Sequence, residues 1–298
     1  MMIKLSEVVG AGQVVRDCSF ELTHYSSSPF PHALCFALDA KNVRAANRNA
    51  NVVAIITTKE FVDEVDASKG FIRAGNPQLE FYLIHNRLCE SGRMTLVEDW
   101  GVHESAQIHH SVSLPPRCRI GKGVIIEANA YIEELSVIGD YSYIGVGAVV
   151  GARGMHRTYV DGKNIRFFDA GGVKIGRNCE ILANATIQRS YFREYTIIGN
   201  DVKIGPGANV GHGCEINHST VMAGNAVLAG YCQIGKNAWI GPNSTVAHMV
   251  KIGDNARVSL GSVVVKNVAA ETEVSGNFAV PHRINVRNFT KALLENKK

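Results

Sequence analysis

From Ile108 onward the chain places an aliphatic residue at every sixth position: Ile108, Leu114, Ile120, Ile126, Ile132, Ile138, Ile144 and Val150. The register resumes at Ile175, Ile181 and Ile187 and then slips once. It runs on through Ile198, Ile204, Val210, Ile216, Met222, Leu228, Ile234, Ile240, Val246, Ile252, Val258 and Val264. Of these 23 positions only Met222 is not Ile, Leu or Val. A small residue stands two places earlier, as in Cys118, Ala130, Ser142, Cys179, Ala208, Cys214, Ala226, Cys232 and Ala256. Glycine often follows the aliphatic residue, as in Gly121, Gly139, Gly205 and Gly235. A period of six is neither the 3.6 of a helix nor the alternation of a strand. It predicts a solenoid with short flat sides, its interior filled by the aliphatic column and its corners by the small one. Glycine is expected to relieve the backbone beside each turn. Three sides of six make one coil, so the hexads predict seven to eight coils at roughly 4.8 Å each, a prism about 35–37 Å long.

The rest of the chain is organised around that prism, which should occupy residues 101–274. Residues 1–100 lack the hexad and predict a small α/β domain. Asn51–Thr58 reads as a buried strand, Lys59–Val65 as a helix start and Asn76–Glu90 as an amphipathic helix. Residues 152–172 interrupt the solenoid, and Asp161-Gly162 between Thr158–Val160 and Lys163–Phe168 predicts a β-hairpin. The tail, 275–298, predicts one short helix at about Val286–Glu295, with several basic residues on or near it.

Composition narrows the classes. In a chain of 298 residues, 46% hydrophobic and 19% charged residues exclude intrinsic disorder. Apolar runs such as Val52–Ile56 fall far short of the ~20 residues of a membrane span, and the first residues carry no apolar core of a secretory signal. Seven scattered cysteines, never spaced as CxxC, fit reduced thiols in a cytoplasm. A net charge of +4 does not argue for nucleic acid.

Candidate chemistry follows from the coil length. Residues one coil apart lie one above the other, so His212, Gly230 and His248 form a column over roughly 10 Å of prism edge. A neutral imidazole can take a proton from an attacking nucleophile. A glycine beside it lets a carbonyl approach the backbone, whose N–H can stabilise an oxyanion. Any single histidine at a solenoid corner is more often simply solvated. His103, His109, His110 and His156 invite a metal reading, but no three are expected to converge, and His212 and His218 lie on different faces. No metal is expected.

Gly211-His212-Gly213-Cys214-Glu215-Ile216, Val227-Leu228-Ala229-Gly230 and Gly261–Val265 resemble the catalytic stretch of the hexapeptide-repeat acyltransferases. The whole layout is most similar to the UDP-3-O-acylglucosamine N-acyltransferases of lipid A synthesis and related nucleotide-amino-sugar N-acyltransferases. The resemblance implies a mainly β fold, a left-handed parallel β-helix, assembled as a homotrimer. It implies His212 as general base and Gly230 as oxyanion donor, with His248 and Phe36 contacting substrate. It also implies a UDP-linked amino sugar as acceptor and acyl carrier protein or coenzyme A as the acyl carrier, a co-substrate and not a bound cofactor. Three positions depart from the pattern. The histidine of the third coil falls one place earlier than in the family, whose position is Met249 here. The second aromatic of the family's uracil clamp is replaced by Asn42, leaving Phe36 alone. The tail is shorter than the family's. A short acyl group on coenzyme A, transferred to an O-antigen sugar, and a non-catalytic binding role are the alternative readings.

Overall fold

The structure is a computed structural model that describes residues 2–10, 12–155, 159–160, 162–276, 281, 283–284 and 287. Its body is a left-handed parallel β-helix of triangular section. Among the described residues the first face carries eight strands, from Gly101–Val102 to Lys251–Ile252. The second carries nine, from Gln107–Ile108 to Glu273–Val274, and the third seven, from Tyr131–Ile132 to Val263–Val264. The nine-strand face is roughly 38 Å tall at the usual strand spacing. That exceeds the expected height, because pairing on this face continues past Val264 to Val274.

From Ile120 to Val258 the aliphatic column is buried, and the small residues Cys179, Ala185, Cys214, Ala226, Cys232 and Ala256 lie beside it at 0% exposure. The glycine after the aliphatic residue serves a different purpose from the one expected. A Cβ on Gly205 would lie 2.5 Å from the Gly224 nitrogen, and one on Gly211 would lie 2.7 Å from the Gly230 nitrogen. These glycines exist because the next coil presses against them. The left-handed backbone sits two residues further on, at Asn129, Asn184, Asn225, Asn237, Asn243 and Asn255, with φ between 55° and 58°. Asparagine tolerates that region because its short amide can bond locally.

The N-terminal domain is a five-stranded sheet in the spatial order Val14–Arg16, Gly70–Arg73, Val52–Thr57, Ala33–Phe36, Leu22–Thr23. All neighbours are parallel except Val14–Arg16. Helix α1, Ala40–Arg48, is capped by Asp39, and α2, Pro77–Glu90, by Asn76 with proline in its first turn. The expected strand and amphipathic helix are thus present as Val52–Thr57 and α2. Lys59–Glu64 is a 3-10 helix, and α1 was not legible because it buries only Val43 and Ala46. The insertion does form a hairpin, in which Tyr159 lies opposite Asn164 and Val160 opposite Lys163. The helix expected at 286–295 lies, Arg287 apart, outside the described residues. Among the described residues no helix is long and apolar enough to cross a membrane.

The corner geometry has a measurable consequence. Asn243 is exposed at φ 55°. Asn243→Gly should leave stability within about 0.5 kcal/mol, whereas Asn243→Val should cost roughly 1–2 kcal/mol, the strain of a branched residue in the left-handed region. Urea titrations with equal slopes for both variants would check this; equal midpoints would show that the corner does not need that conformation.

Candidate functional site

Strand pairing sets the column. Val210 pairs with Leu228 and Leu228 with Val246, so His212, Gly230 and His248 follow one another on the same edge. Histidines two coils apart should be separated by roughly 10 Å, yet their ring centroids are 6.2 Å apart. They converge because Gly230 offers no side chain between them. A Cβ there would lie 2.2 Å from His212 Cε1 and 2.3 Å from Nε2, so the imidazole rests on the glycine backbone. The Tyr231 N–H donates to the His212 carbonyl at 2.8 Å, and the Met249 N–H to that of Gly230 at 3.0 Å. The Gly230 N–H donates to no acceptor among the described residues. A nucleophile held against His212 would therefore find a base and an uncommitted backbone donor side by side.

The edge is not bare. Tyr191 lies over the His212 ring at 3.9 Å and 30°, and Tyr231 stands edge-on to it at 5.1 Å and 78°. Tyr231 also meets the His248 ring at 5.9 Å and 89°. The backbone N–H of His212 donates to Gln188 Oε1 at 3.2 Å. His212 is consequently half-buried, while His248 is exposed. Burial pushes the phenol pKa of both tyrosines well up, so they serve the site as neutral groups. Tyr231 and Met249 occupy corner positions with φ of 59° and 61°, where the other coils place mostly asparagine or glycine. Holding bulky side chains there costs on the order of 1–3 kcal/mol each, a cost that Leu135 and Tyr141 also carry at corners away from the site.

Two interruptions of the hexad build these walls, and both are anchored on the N-terminal domain. In the first, Phe167 stacks on His85 at 4.2 Å and 7°, and the Phe168 carbonyl lies 2.9 Å from His85 Nε2. Thr23 Oγ1 holds the other nitrogen of that ring at 2.6 Å. In the second, which carries Tyr191, Arg193 pairs with Glu21 at 2.7 Å and Glu194 with His24 at 3.3 Å. Arg153 of the hairpin insertion is engaged with Asp169 at 2.7 Å and the Phe167 carbonyl at 3.0 Å, so its charge is used within the fold. Burial still pushes the Asp169 carboxyl up, and the guanidinium only partly offsets it.

Phe36 is not brought to this edge. Its ring packs against Phe81 at 5.0 Å and Tyr82 at 6.3 Å, at the end of its strand. Asn42 gives its N–H and its side-chain amide to Asp39 at 2.7 and 3.0 Å, as part of the α1 cap. The connection to His212 runs through rings: Phe81 to Phe192 at 6.2 Å, Phe192 to Tyr25 at 4.9 Å and Tyr25 to Tyr231 at 6.0 Å. Against the last two lies a cavity of about 380 Å³, walled by the His24–Phe30 loop and the first face of the prism. His218 stands on another edge, where its Nδ1 accepts from the Asn200 N–H at 2.9 Å. Among the described residues no three His, Cys, Asp or Glu side chains group as metal ligands.

The residues that sequence reasoning missed are Tyr191, Tyr231, Gln188 and the His24–Glu194 pair. Two signals could have found some of them. The hexad breaks at 190–194, and a tyrosine at 231 stands in a column that otherwise favours asparagine and glycine.

Comparison with known proteins agrees with this layout. Residues 195–230 and 231–266 match the family described as bacterial transferase hexapeptide (six repeats). UDP-3-O-acylglucosamine N-acyltransferase 1 of Legionella pneumophila is 26% identical over 204 residues, 58% of this chain and 56% of that protein. The UDP-3-O-acylglucosamine N-acyltransferase of Coxiella burnetii is 28% identical over 238 residues, 68% of this chain and 66% of its own length. The matches thus span less than two thirds of either relative. Among solved structures, the UDP-N-acetylglucosamine acyltransferase from Campylobacter jejuni is similar, with a TM-score of 0.46 and 23% identity over 63% of this chain and 77% of that one.

The seat of His212 on Gly230 can be tested without any substrate. Gly230→Ala should displace the imidazole, shift its 15N resonances and cost about 1–3 kcal/mol, the usual price of overpacking. Gly75, where an added Cβ meets nothing within 4 Å, is the control, and Gly75→Ala should stay within about 0.5 kcal/mol. Unchanged His212 resonances in Gly230→Ala would contradict the contact.

Proposed function

We propose that this hexapeptide-repeat chain is an N-acyltransferase that moves an acyl group from a thioester to the amine of a nucleotide-linked amino sugar, in lipid A or surface-polysaccharide synthesis. The observation that carries the reading is the half-buried His212 imidazole lying on Gly230, whose N–H is uncommitted. The neutral amine attacks the thioester carbonyl, and His212 takes the proton that the nitrogen must lose. The carbonyl oxygen becomes an oxyanion, and the Gly230 N–H donates to it. Collapse of the tetrahedral intermediate breaks the carbon–sulfur bond, the imidazolium returns its proton to the thiolate, and an amide and a free thiol leave. Tyr191 and Tyr231 limit water at the base and hold its ring orientation. His248, exposed one coil beyond Gly230, is placed to bind the acceptor or the carrier.

Relatives that carry the name UDP-3-O-acylglucosamine N-acyltransferase support the acceptor class, with UDP as the nucleotide. The carrier is acyl carrier protein or coenzyme A, present only as co-substrate. The assembly is a homotrimer, as the resemblance implies, and seven free cysteines fit a cytoplasmic setting.

Intact-mass analysis of UDP-amino sugars incubated with acetyl-coenzyme A or acyl carrier protein thioesters should show an N-acylated product. No product with any donor would overturn the reading. His212→Ala should lower turnover by roughly 10²–10⁴-fold, the worth of a positioned base, with His248→Ala in between. His218→Ala should keep near wild-type turnover and lose only the roughly 0.5–1.5 kcal/mol of its bond to Asn200. A His212→Ala enzyme with more than about a tenth of normal turnover would remove the base from the mechanism.

A further inference from the structure

The edge that carries His212 and His248 ends in a corner built unlike the others. Val246 pairs with Val264, whereas further along the same two coils Ile252 bridges Val268, so the last coil turns this corner two residues short. The shortcut leaves His248 and Met249 uncovered, and both are exposed, Met249 at 47%. It also brings two lysines beside His248. Lys266 follows Val264 by two places, as His248 follows Val246, and so lies above it. Lys251 stands three places after His248, and its N–H donates at 2.9 Å to Oδ1 of Asn267, the residue next to Lys266.

Neither ammonium is spent within the fold. Lys174 pairs with Glu98 at 3.2 Å and Lys203 with Glu180 at 2.7 Å, but Lys251 and Lys266 are exposed and have no carboxylate partner among the described residues. Glu215, in the same column as Lys251, lies two coils away, roughly 10 Å and about one Debye length at physiological salt. The His248 N–H has no acceptor among the described residues either. The neighbouring edge shows where an N–H at this place in a coil points. There the N–H groups of Lys122, Arg177 and Lys236 donate to Oδ1 of Asp140, Asn200 and Asp254 at 2.9, 3.0 and 2.7 Å, each an oxygen from the corner of the next coil. Above His248 the next coil supplies Lys266, a donor where those corners have an acceptor. A backbone N–H, an imidazole and two ammonium groups thus surround a place that the fold fills elsewhere with oxygen.

We infer that this corner seats the diphosphate of the acceptor, with Lys251 and Lys266 as substrate-binding residues that hold it through charge-assisted hydrogen bonds. The inference rests on the proposed acceptor being nucleotide-linked. Position on the edge decides which phosphate is meant. The His248 ring is 6.2 Å from that of His212, so a sugar held here by its diphosphate lies across Gly230 with its ring against the base. In such a sugar only the anomeric carbon and its oxygen separate the diphosphate from the adjacent ring carbon, and an amine on that carbon reaches His212. The phosphate of a thioester carrier sits at the far end of the extended pantetheine arm, well beyond a corner one coil from Gly230. The seat therefore selects a diphosphate-linked sugar whose amine is next to the anomeric carbon.

The test pairs binding with kinetics on the full chain. Inorganic pyrophosphate, titrated by 31P resonance, should bind, and the double variant Lys251→Gln with Lys266→Gln should weaken it about tenfold, the worth of two exposed charged contacts. In the acyl-transfer assay the double variant should raise the acceptor KM by a similar factor and leave kcat and the donor KM near wild type. Lys266→Arg keeps the charge and should keep the acceptor KM. Lys236→Gln removes an exposed lysine of the neighbouring edge and should change nothing. Pyrophosphate binding that survives the double variant, an equal loss in Lys236→Gln, or a rise in the donor KM alone would each overturn the seat. Transfer whose acceptor KM ignores both lysines leaves the proposed reaction standing and removes the seat. Lysine-dependent pyrophosphate binding without transfer from any thioester leaves the seat and removes the reaction.

Discussion

Coil-on-coil contact is the constraint on which the rest depends. Each turn of the solenoid must lie one strand spacing from the next, and at the position after every interior aliphatic residue there is often no room for a side chain. The would-be Cβ atoms of Gly205, Gly211, Gly235 and Gly241 all fall within 3 Å of the next coil. The same closeness makes the interior a continuous stack, in which Val210, Leu228 and Val246 share one column. It also makes His212, Gly230 and His248 neighbours. The candidate site rests on the same closeness at a different position: Gly230, two residues after Leu228, has no side chain, and the His212 imidazole of the preceding coil lies against it.

The regular part of this was legible because a period of six, repeated over most of the chain, admits few other structures. Interior and corner residues could be named from Ile120 to Val258 by counting, and the vertical alignment of His212 with Gly230 followed from the coil length. What counting could not supply is whatever leaves the lattice. Tyr191 belongs to a break in the hexad, and its place over His212 depends on Arg193 and Glu194 reaching Glu21 and His24 far earlier in the chain. The role of the glycines was also misjudged from sequence, since conformational freedom and close approach favour the same residue. Only the dihedrals separate them: the left-handed corner lies two residues later, on asparagine. The contact of the Phe36 ring with Phe81 is likewise not foretold by anything in its own stretch.

The two interruptions and the N-terminal sheet thus act together as one wall. The solenoid supplies imidazole, glycine and spacing; the departures from it supply enclosure. His85, held by Thr23 on one side and by the Phe168 carbonyl on the other, ties the first interruption to the domain, and the Glu21–Arg193 pair ties the second. Neither interruption touches the interior column, so the wall can vary in sequence while the lattice stays intact. A solenoid whose candidate edge is fixed and whose wall is free to change is a scaffold on which ligand preference can diverge.

The hairpin gives this wall a different lifetime from the solenoid behind it. Among the described residues its strands meet in two cross-strand pairs, Tyr159 with Asn164 and Val160 with Lys163, and an isolated two-stranded ribbon is marginal in water. Its persistence is borrowed from Phe167 on His85 and from Asn86, which bonds the Phe168 N–H and the Arg166 carbonyl at 3.0 and 2.6 Å. The prism, by contrast, opens only by separating whole coils, each bonded above and below. On warming, the flap should detach as its own cooperative unit while the prism remains folded. Thermal inactivation would then be a local and reversible event, occurring well below the temperature at which the β-helix melts.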